Sequence, residues 1–189
     1  MMRAAWLPLL FVALLAIAPA RGADYRIDTS RSHAEFNVRL LWVRQISGRF
    51  TDIHGEVDLN ALRDTAVVQA TVNVDSVEMP SARLRRWVLD PEFFDVRRFP
   101  EIHFVSAPLA VRSLDAGGEL PGWLTLRGVT RQVLFRLEPA SCTLQRDTLC
   151  QIEVRGQIQR SDYGMDGHHT AISDTVNLGL LITLDEAAD

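Results

Sequence analysis

Apolar and polar residues alternate with a period of two in four separate stretches of this 189-residue chain. Phe36, Val38 and Leu40 alternate with Glu35, Asn37 and Arg39. Val68, Ala70, Val72 and Val74 alternate with Gln69, Thr71, Asn73 and Asp75. Ile152, Val154, Gly156 and Ile158 alternate with Glu153, Arg155, Gln157 and Gln159. Val176, Leu178, Leu180, Ile182 and Leu184 alternate mostly with polar or small residues. Successive side chains of a strand point to opposite faces, so each stretch is a strand with one wet face. Shorter strands are expected at Tyr25 to Asp28, Gly48 to Ile53, Gly55 to Leu59, Ile102 to Leu109, Leu120 to Leu126 and Gln132 to Glu138.

Breakers punctuate this pattern. Asp115-Ala116-Gly117-Gly118 and Arg127-Gly128 read as hairpin turns, and Pro100 and Pro108 bracket one strand. One good helical window runs from Ser81, the expected N-cap, to Leu89, with Pro91 as its stop. A weaker helix is expected to include Ala61 to Asp64. Many antiparallel strands with one apolar face, and hardly any helix, predict an all-β fold: a sheet closed on itself as a single barrel of about eight strands. No linker or repeat divides the chain, so residues 24–189 read as one domain.

Residues 1–23 read as a cleaved signal peptide. Arg3 precedes the apolar run Leu7 to Ala18, and Ala18-Pro19-Ala20 has the small-x-small form of a cleavage site, with Gly22 and Ala23 as later alternatives. The run is shorter than the roughly 20 apolar residues of a membrane span, so a retained anchor is the competing reading. Export predicts the periplasm, an oxidising compartment, where the two cysteines Cys142 and Cys150 pair as a disulfide across a hairpin with Gln145, Arg146 and Asp147 at its tip. The formal charge is −4, all basic residues are Arg, and removing Arg3 and Arg21 makes the balance more acidic. That argues against nucleic acid, whose phosphates demand a basic surface.

Signatures of catalysis are missing from the sequence. There is no Gly-x-Ser-x-Gly elbow, no His-Glu-x-x-His and no phosphate-cradling glycine loop. His33 lies near Ser32 and Asp28, but a triad is a geometric object and structural hydrogen bonding at a strand start is the simpler reading. His168-His169 stands in a loop without Cys or clustered carboxylates to complete a metal site. Trp87, Phe93, Phe94, Phe99 and Phe104 crowd one stretch among Asp90, Pro91, Asp95, Arg97, Arg98 and Pro100, which reads as a plug or rim where a helix hands over to a strand. Phe36, Phe50, Phe104 and Phe135 take inward-type positions; they fill a solid barrel or line a hollow one, and periodicity does not separate the two. No apolar stripe in the sequence marks an interface, although a homodimer suits a barrel with an exposed rim.

Several of these residues resemble one known family. Tyr25-Arg26-Ile27-Asp28 followed by Ser32-His33-Ala34-Glu35-Phe36 is similar to the opening of the YceI family. Gly48-Arg49-Phe50 with Gly55, Phe93-Phe94-Asp95, Phe99 to Ser106, Leu124 to Thr130, Arg160 to Met165, and Ser173-Asp174 with Val176 follow in the family's order, over about Tyr25 to Leu184. The resemblance implies a lipocalin-like periplasmic barrel that holds a long polyisoprenoid, such as a polyprenyl phosphate or a quinone tail, and is not an enzyme. Trp87 stands near the place of a His in many relatives, and the cysteine pair is absent from many of them.

The expected function is therefore a carrier or reservoir for an isoprenoid lipid, without a further cofactor or metal. The expected walls are Phe36, Val38, Phe50, Val72, Phe104, Phe135, Ile158 and Leu180, with Trp87, Phe93 and Phe94 guarding one end. Arg83 and Arg85 are the head-group candidates, although a solvated helix face with surface ion pairs is the favoured reading of any single one. The alternatives are a solid-cored envelope interaction module and, more remotely, a hydrolase using His33 or the His168-His169 loop.

Overall fold

The computed structural model describes residues 25–186 other than Trp42, Ala61, 143–146, Thr148, His168 and His169. The expected signal peptide, the His168-His169 loop and the hairpin tip at Gln145 and Arg146 lie outside the described residues. No described helix is long and apolar enough to cross a membrane.

Strands β1 (Tyr25–Ile27) and β2 (His33–Leu40) form one wall strand, interrupted by a 3-10 turn at Thr29–Arg31. β3 (Arg44–Phe50) and β4 (Ile53–Asn60) form the second, and β5 (Thr65–Asn73) with β6 (Val77–Glu78) the third. Helix α1 (Ala82–Leu89) leads to β7 (Glu101–Ser106), and the two-residue β8 (Leu109–Ala110) pairs with β5. After α2 (Ser113–Ala116) come β9 (Gly118–Leu126), β10 (Val129–Leu137), β11 (Leu149–Gln159) and the long β12 (Ile172–Glu186). β12 pairs with β11 on one side, and with both β1 and β2 on the other. First and last strands thus meet, closing an eight-stranded antiparallel barrel. The all-β lipocalin-like expectation holds.

Local chemistry explains where the strands break. The expected strand Gly48 to Ile53 is split: Gly48–Phe50 end β3, Ile53 opens β4, and Thr51-Asp52 make a corner between them. There the Ser76 hydroxyl accepts from both Thr51 N (3.2 Å) and Asp52 N (3.1 Å), taking the two amides out of the ladder. The expected strand Ile102 to Leu109 splits at Pro108, which has no N–H to give. Asp115-Ala116 is not a hairpin turn: it ends α2, and Gly117 follows at φ 82°, a positive φ that glycine adopts freely. Leu62 to Asp64 form a turn rather than a helix. Arg127 and Gly128, at φ 52° and 70°, do make the expected tight turn between β9 and β10. Ser81 caps α1 by accepting from Leu84 N at 3.3 Å. Cys142 and Cys150 are bonded, with Cα atoms 5.4 Å apart.

One half of the barrel is packed solid. Leu114, Cys150 and Leu184 are almost wholly buried there, with Leu184 paired to the disulfide's Cys150, and Val57 is buried further along the barrel. Away from that end the wall is thinner. Gly48, Gly122 and Gly156 face inward, and an added Cβ would meet the rings of Phe36, Phe104 and Phe135 at 2.4, 2.6 and 2.1 Å. Each ring therefore lies against the wall over a glycine. Outside, Val105, Trp123 and Leu134 are about half exposed on β7, β9 and β10, and Val105 pairs directly opposite Trp123. This corrects the expectation of no exposed apolar stripe, which strand register alone reveals.

Candidate ligand cavity

The hollow half holds a cavity of about 170 Å³. A single water needs roughly 10–15 Å³ on this scale, so the barrel is not solid. This space is at odds with the solid core of the interaction-module alternative. All eleven expected apolar residues, Phe36, Val38, Phe50, Val72, Trp87, Phe93, Phe94, Phe104, Phe135, Ile158 and Leu180, line the cavity. Ala34 and Ala70, also lining it, supply room because their side chains stop at Cβ.

An aromatic plug closes this end. Phe36, Phe50 and Phe94 form a three-ring cluster with centroids 5.4–5.8 Å apart, and Trp87 meets Phe93 edge-on at 4.5 Å. Edge-to-face pairs of this kind add about 0.5–1.5 kcal/mol each beyond burial. The plug is held from the β9–β10 turn. Arg127 Nη1 donates to the carbonyls of Pro91 (2.8 Å) and Phe93, and the Phe99 ring sits over Gly128. Asp95 is buried at φ 50°, accepts through its carbonyl from Arg98 N and Phe99 N at 2.9 Å, and pairs with Arg98 at 3.6 Å. The order Phe-Phe-Asp, Phe-Pro and Arg-Gly in the sequence is therefore one interlocked closure.

Among the described residues, two charged ones touch the cavity, Glu35 and Arg160. Glu35 turns its carboxylate outward to Arg49. Arg160 is buried, 3 % exposed, and gives its donors to four backbone carbonyls: Ser173 (3.1 Å), Met165, Gly167 (2.7 Å) and Ile172 (3.3 Å). It thereby ties Met165 and Gly167 to Ile172 and Ser173 at the barrel end, where Gly167 approaches Glu92 of the plug. Asp174 reinforces this by accepting from Ser161 N (2.9 Å) and Oγ (2.6 Å). Sequence reasoning placed Arg160 in a motif but assigned it no role, because its partners are backbone atoms with no sequence signature. The two head-group candidates do not line the cavity. Arg85 spends its guanidinium on Val77 O (2.9 Å), Asp75 O and the Asp75 carboxylate (2.9 Å), and Arg83 is exposed on α1.

The histidines make no catalytic constellation among the described residues. His33 Nε2 lies 3.6 Å from Glu35, whereas Ser32 Oγ accepts from Thr183 N and Asp28 accepts from Ser30. No three His, Cys, Asp or Glu side chains converge on a metal position among the described residues.

Tyr163, in the same 3-10 turn as Arg160, is buried, and its hydroxyl has no hydrogen-bond partner among the described residues. Burial, with help from the Asp162 charge and opposed by Arg131, pushes this phenol up to about 12. The unfolded chain releases the proton near pH 10 and the folded chain holds it longer, so stability falls as pH rises from about 10 to 12. Tyr163→Phe is expected to raise stability by about 1 kcal/mol at pH 7, since an orphaned buried group is removed. It is also expected to flatten the alkaline limb of a pH series of denaturant melts.

Known proteins share this architecture. The model of the YceI-like domain family matches residues 25–184. A UPF0312 protein of Shewanella putrefaciens is 34% identical over 133 residues, covering 68% of each chain. One from Pseudomonas aeruginosa is 31% identical over 127 residues, 66% of this chain and 65% of that protein. Among solved structures, Burkholderia cenocepacia BcnA superposes with a TM-score of 0.72 at 17% identity, covering 83% of this chain and 98% of that one. A polyisoprenoid binding domain from Saccharophagus degradans, implicated in plant cell wall breakdown, gives 0.66 at 14% identity, over 88% and 100%. With the barrel, the Phe-Phe-Asp closure and this match in hand, the chain belongs to the YceI-like domain family.

Proposed function

We propose that this protein is a periplasmic binding protein that carries an isoprenoid lipid, with the tail in the barrel and no catalytic step. The observation that carries the reading is the apolar cavity beneath an aromatic closure at Trp87 and Phe93. The polyisoprenoid binding domain of similar fold supports the ligand class. The leader-like residues 1–23 and the Cys142–Cys150 bond support an oxidising, exported setting.

Physics favours recognition by the tail. Burying about 500 Å² of isoprenoid yields on the order of 12 kcal/mol gross at about 25 cal/mol/Å². Association costs of roughly 4–15 kcal/mol offset most of it, so the lining must be extensive and polar anchors can be few. Arg160 already serves four carbonyls and adds no strong head-group demand. A cavity of roughly 150 Å³ accepts a benzene-sized guest. The 170 Å³ present thus takes only the first part of a long tail, and the remainder displaces Trp87 and Phe93.

Fluorescence titration with geraniol, farnesol and geranylgeraniol tests this. Affinity is expected to rise with each isoprene unit, at up to about 0.8 kcal/mol per buried CH₂. The emission of Trp87 is expected to shift as the longer chains displace it, and Trp87→Phe removes that signal while retaining binding. Titrations without saturation for all three alcohols would exclude the proposal.

A further inference from the structure

The turn between β2 and β3 is built against the usual rules for a hairpin tip. Leu41 is 60% exposed and Val43 91% exposed, whereas turns of soluble hairpins favour Asn, Asp and Gly. Leu41 also sits at φ 50°, a conformation in which a bulky side chain is disfavoured and Gly or Asn would be easier. Its backbone N–H is tied to Ala171 O at 2.6 Å, so this geometry is fixed from the neighbouring loop. Two exposed arginines flank the tip, Arg39 and Arg44, with no carboxylate ion-paired to either among the described residues. The tip also stands at the cavity end: Leu40 pairs with Ile172, and Val38, Ile46 and Ile172 all line the cavity.

We propose that the tip formed by Leu41 and Val43, with Arg39 and Arg44 beside it, docks the barrel onto an anionic lipid bilayer. Apolar side chains at a tip can enter the acyl boundary while adjacent arginines meet the lipid phosphates. A second copy of the chain fits less well, because a two-fold contact through this tip would set the same arginines against each other. The inference adds to the lipid-carrier reading a surface for loading and delivery, but bilayer docking is measurable whether or not the cavity is filled.

Co-sedimentation of the mature chain with vesicles tests it, using phosphatidylcholine alone and phosphatidylcholine with about one third phosphatidylglycerol. The protein is expected to partition roughly 10–30-fold more strongly onto the anionic vesicles. Arg39→Gln with Arg44→Gln is expected to abolish that preference. Leu41→Ser with Val43→Ser is expected to lower partitioning at least about tenfold on anionic vesicles, with the melting temperature and farnesol affinity retained. Leu41→Gly, which relieves the left-handed strain, is expected to melt higher and bind vesicles less, so a folding defect cannot mimic the result. Absence of vesicle binding by the native chain, or equal binding by the Leu41/Val43 variant, would overturn the proposal. So would a dimer in sedimentation equilibrium that this variant dissolves without any vesicle binding. Vesicle binding with no farnesol uptake would uphold docking and reject the cavity reading instead.

Discussion

Replacing Arg160 with methionine is expected to cost about 3–5 kcal/mol of stability, a fall of roughly 10–15 °C in melting temperature for a chain of this size. Methionine keeps much of the apolar stem but has no donors. The carbonyls of Met165, Gly167, Ile172 and Ser173 then lose their shared partner, and each one left buried and unpaired costs about 1–3 kcal/mol. Part of that loss is recovered where the loop shifts and admits water, which is why the expected total is below the sum. The cavity end should loosen first. Hydrogen exchange is therefore expected to accelerate at residues 163–173, with the packed end around Leu114 and Leu184 little changed. Uniform acceleration throughout the barrel would contradict the local role given to this arginine.

The second large effect concerns affinity instead of stability. Ala70→Phe places a ring in the cavity beside Phe104, its partner across the β5–β7 pair. Excluding three or four methylenes of a guest removes about 3 kcal/mol, close to a hundredfold in Kd. The same substitution in a filled core would cost about 1–3 kcal/mol by overpacking. In a hollow barrel it is expected to leave the melting temperature level or raise it. The pairing of lost farnesol binding with retained stability is the signature of a real cavity, and calorimetry with a parallel thermal melt reads both. Ala34→Phe, which enters from β2, is expected to behave alike.

The fold was legible where one physical cause controlled several residues. β2, β5, β11 and β12 each have one wet face, so the sequence alternates and the strands announce themselves. The β3–β4 corner was not legible, because the hydroxyl that breaks the ladder belongs to Ser76, remote from Thr51 and Asp52 in sequence. α2 was misread for the opposite reason: Asp115, Ala116 and two glycines carry turn chemistry, but the turn is the end of a helix. The strand residues of the cavity wall could be read from alternation, since inward positions are the same in a solid or a hollow barrel, and Trp87, Phe93 and Phe94 from their crowding among helix breakers. The hollowness could not. It depends on Phe36, Phe104 and Phe135 lying over Gly48, Gly122 and Gly156 of the wall, which requires knowing which strands are neighbours. The clamp of Arg127 on the plug and the carbonyl nest around Arg160 were hidden likewise, because backbone acceptors leave no trace in residue identity.

Lipid occupancy of the barrel is the central claim, and native mass spectrometry of protein purified gently from its own cell envelope reads it most directly. The account predicts a fraction of the molecules carrying one noncovalent adduct whose organic extract is an isoprenoid, absent from Ala70→Phe purified in the same way. A bare mass for the native chain, with no isoprenoid in the extract and none taken up on incubation with geranylgeraniol, would contradict it.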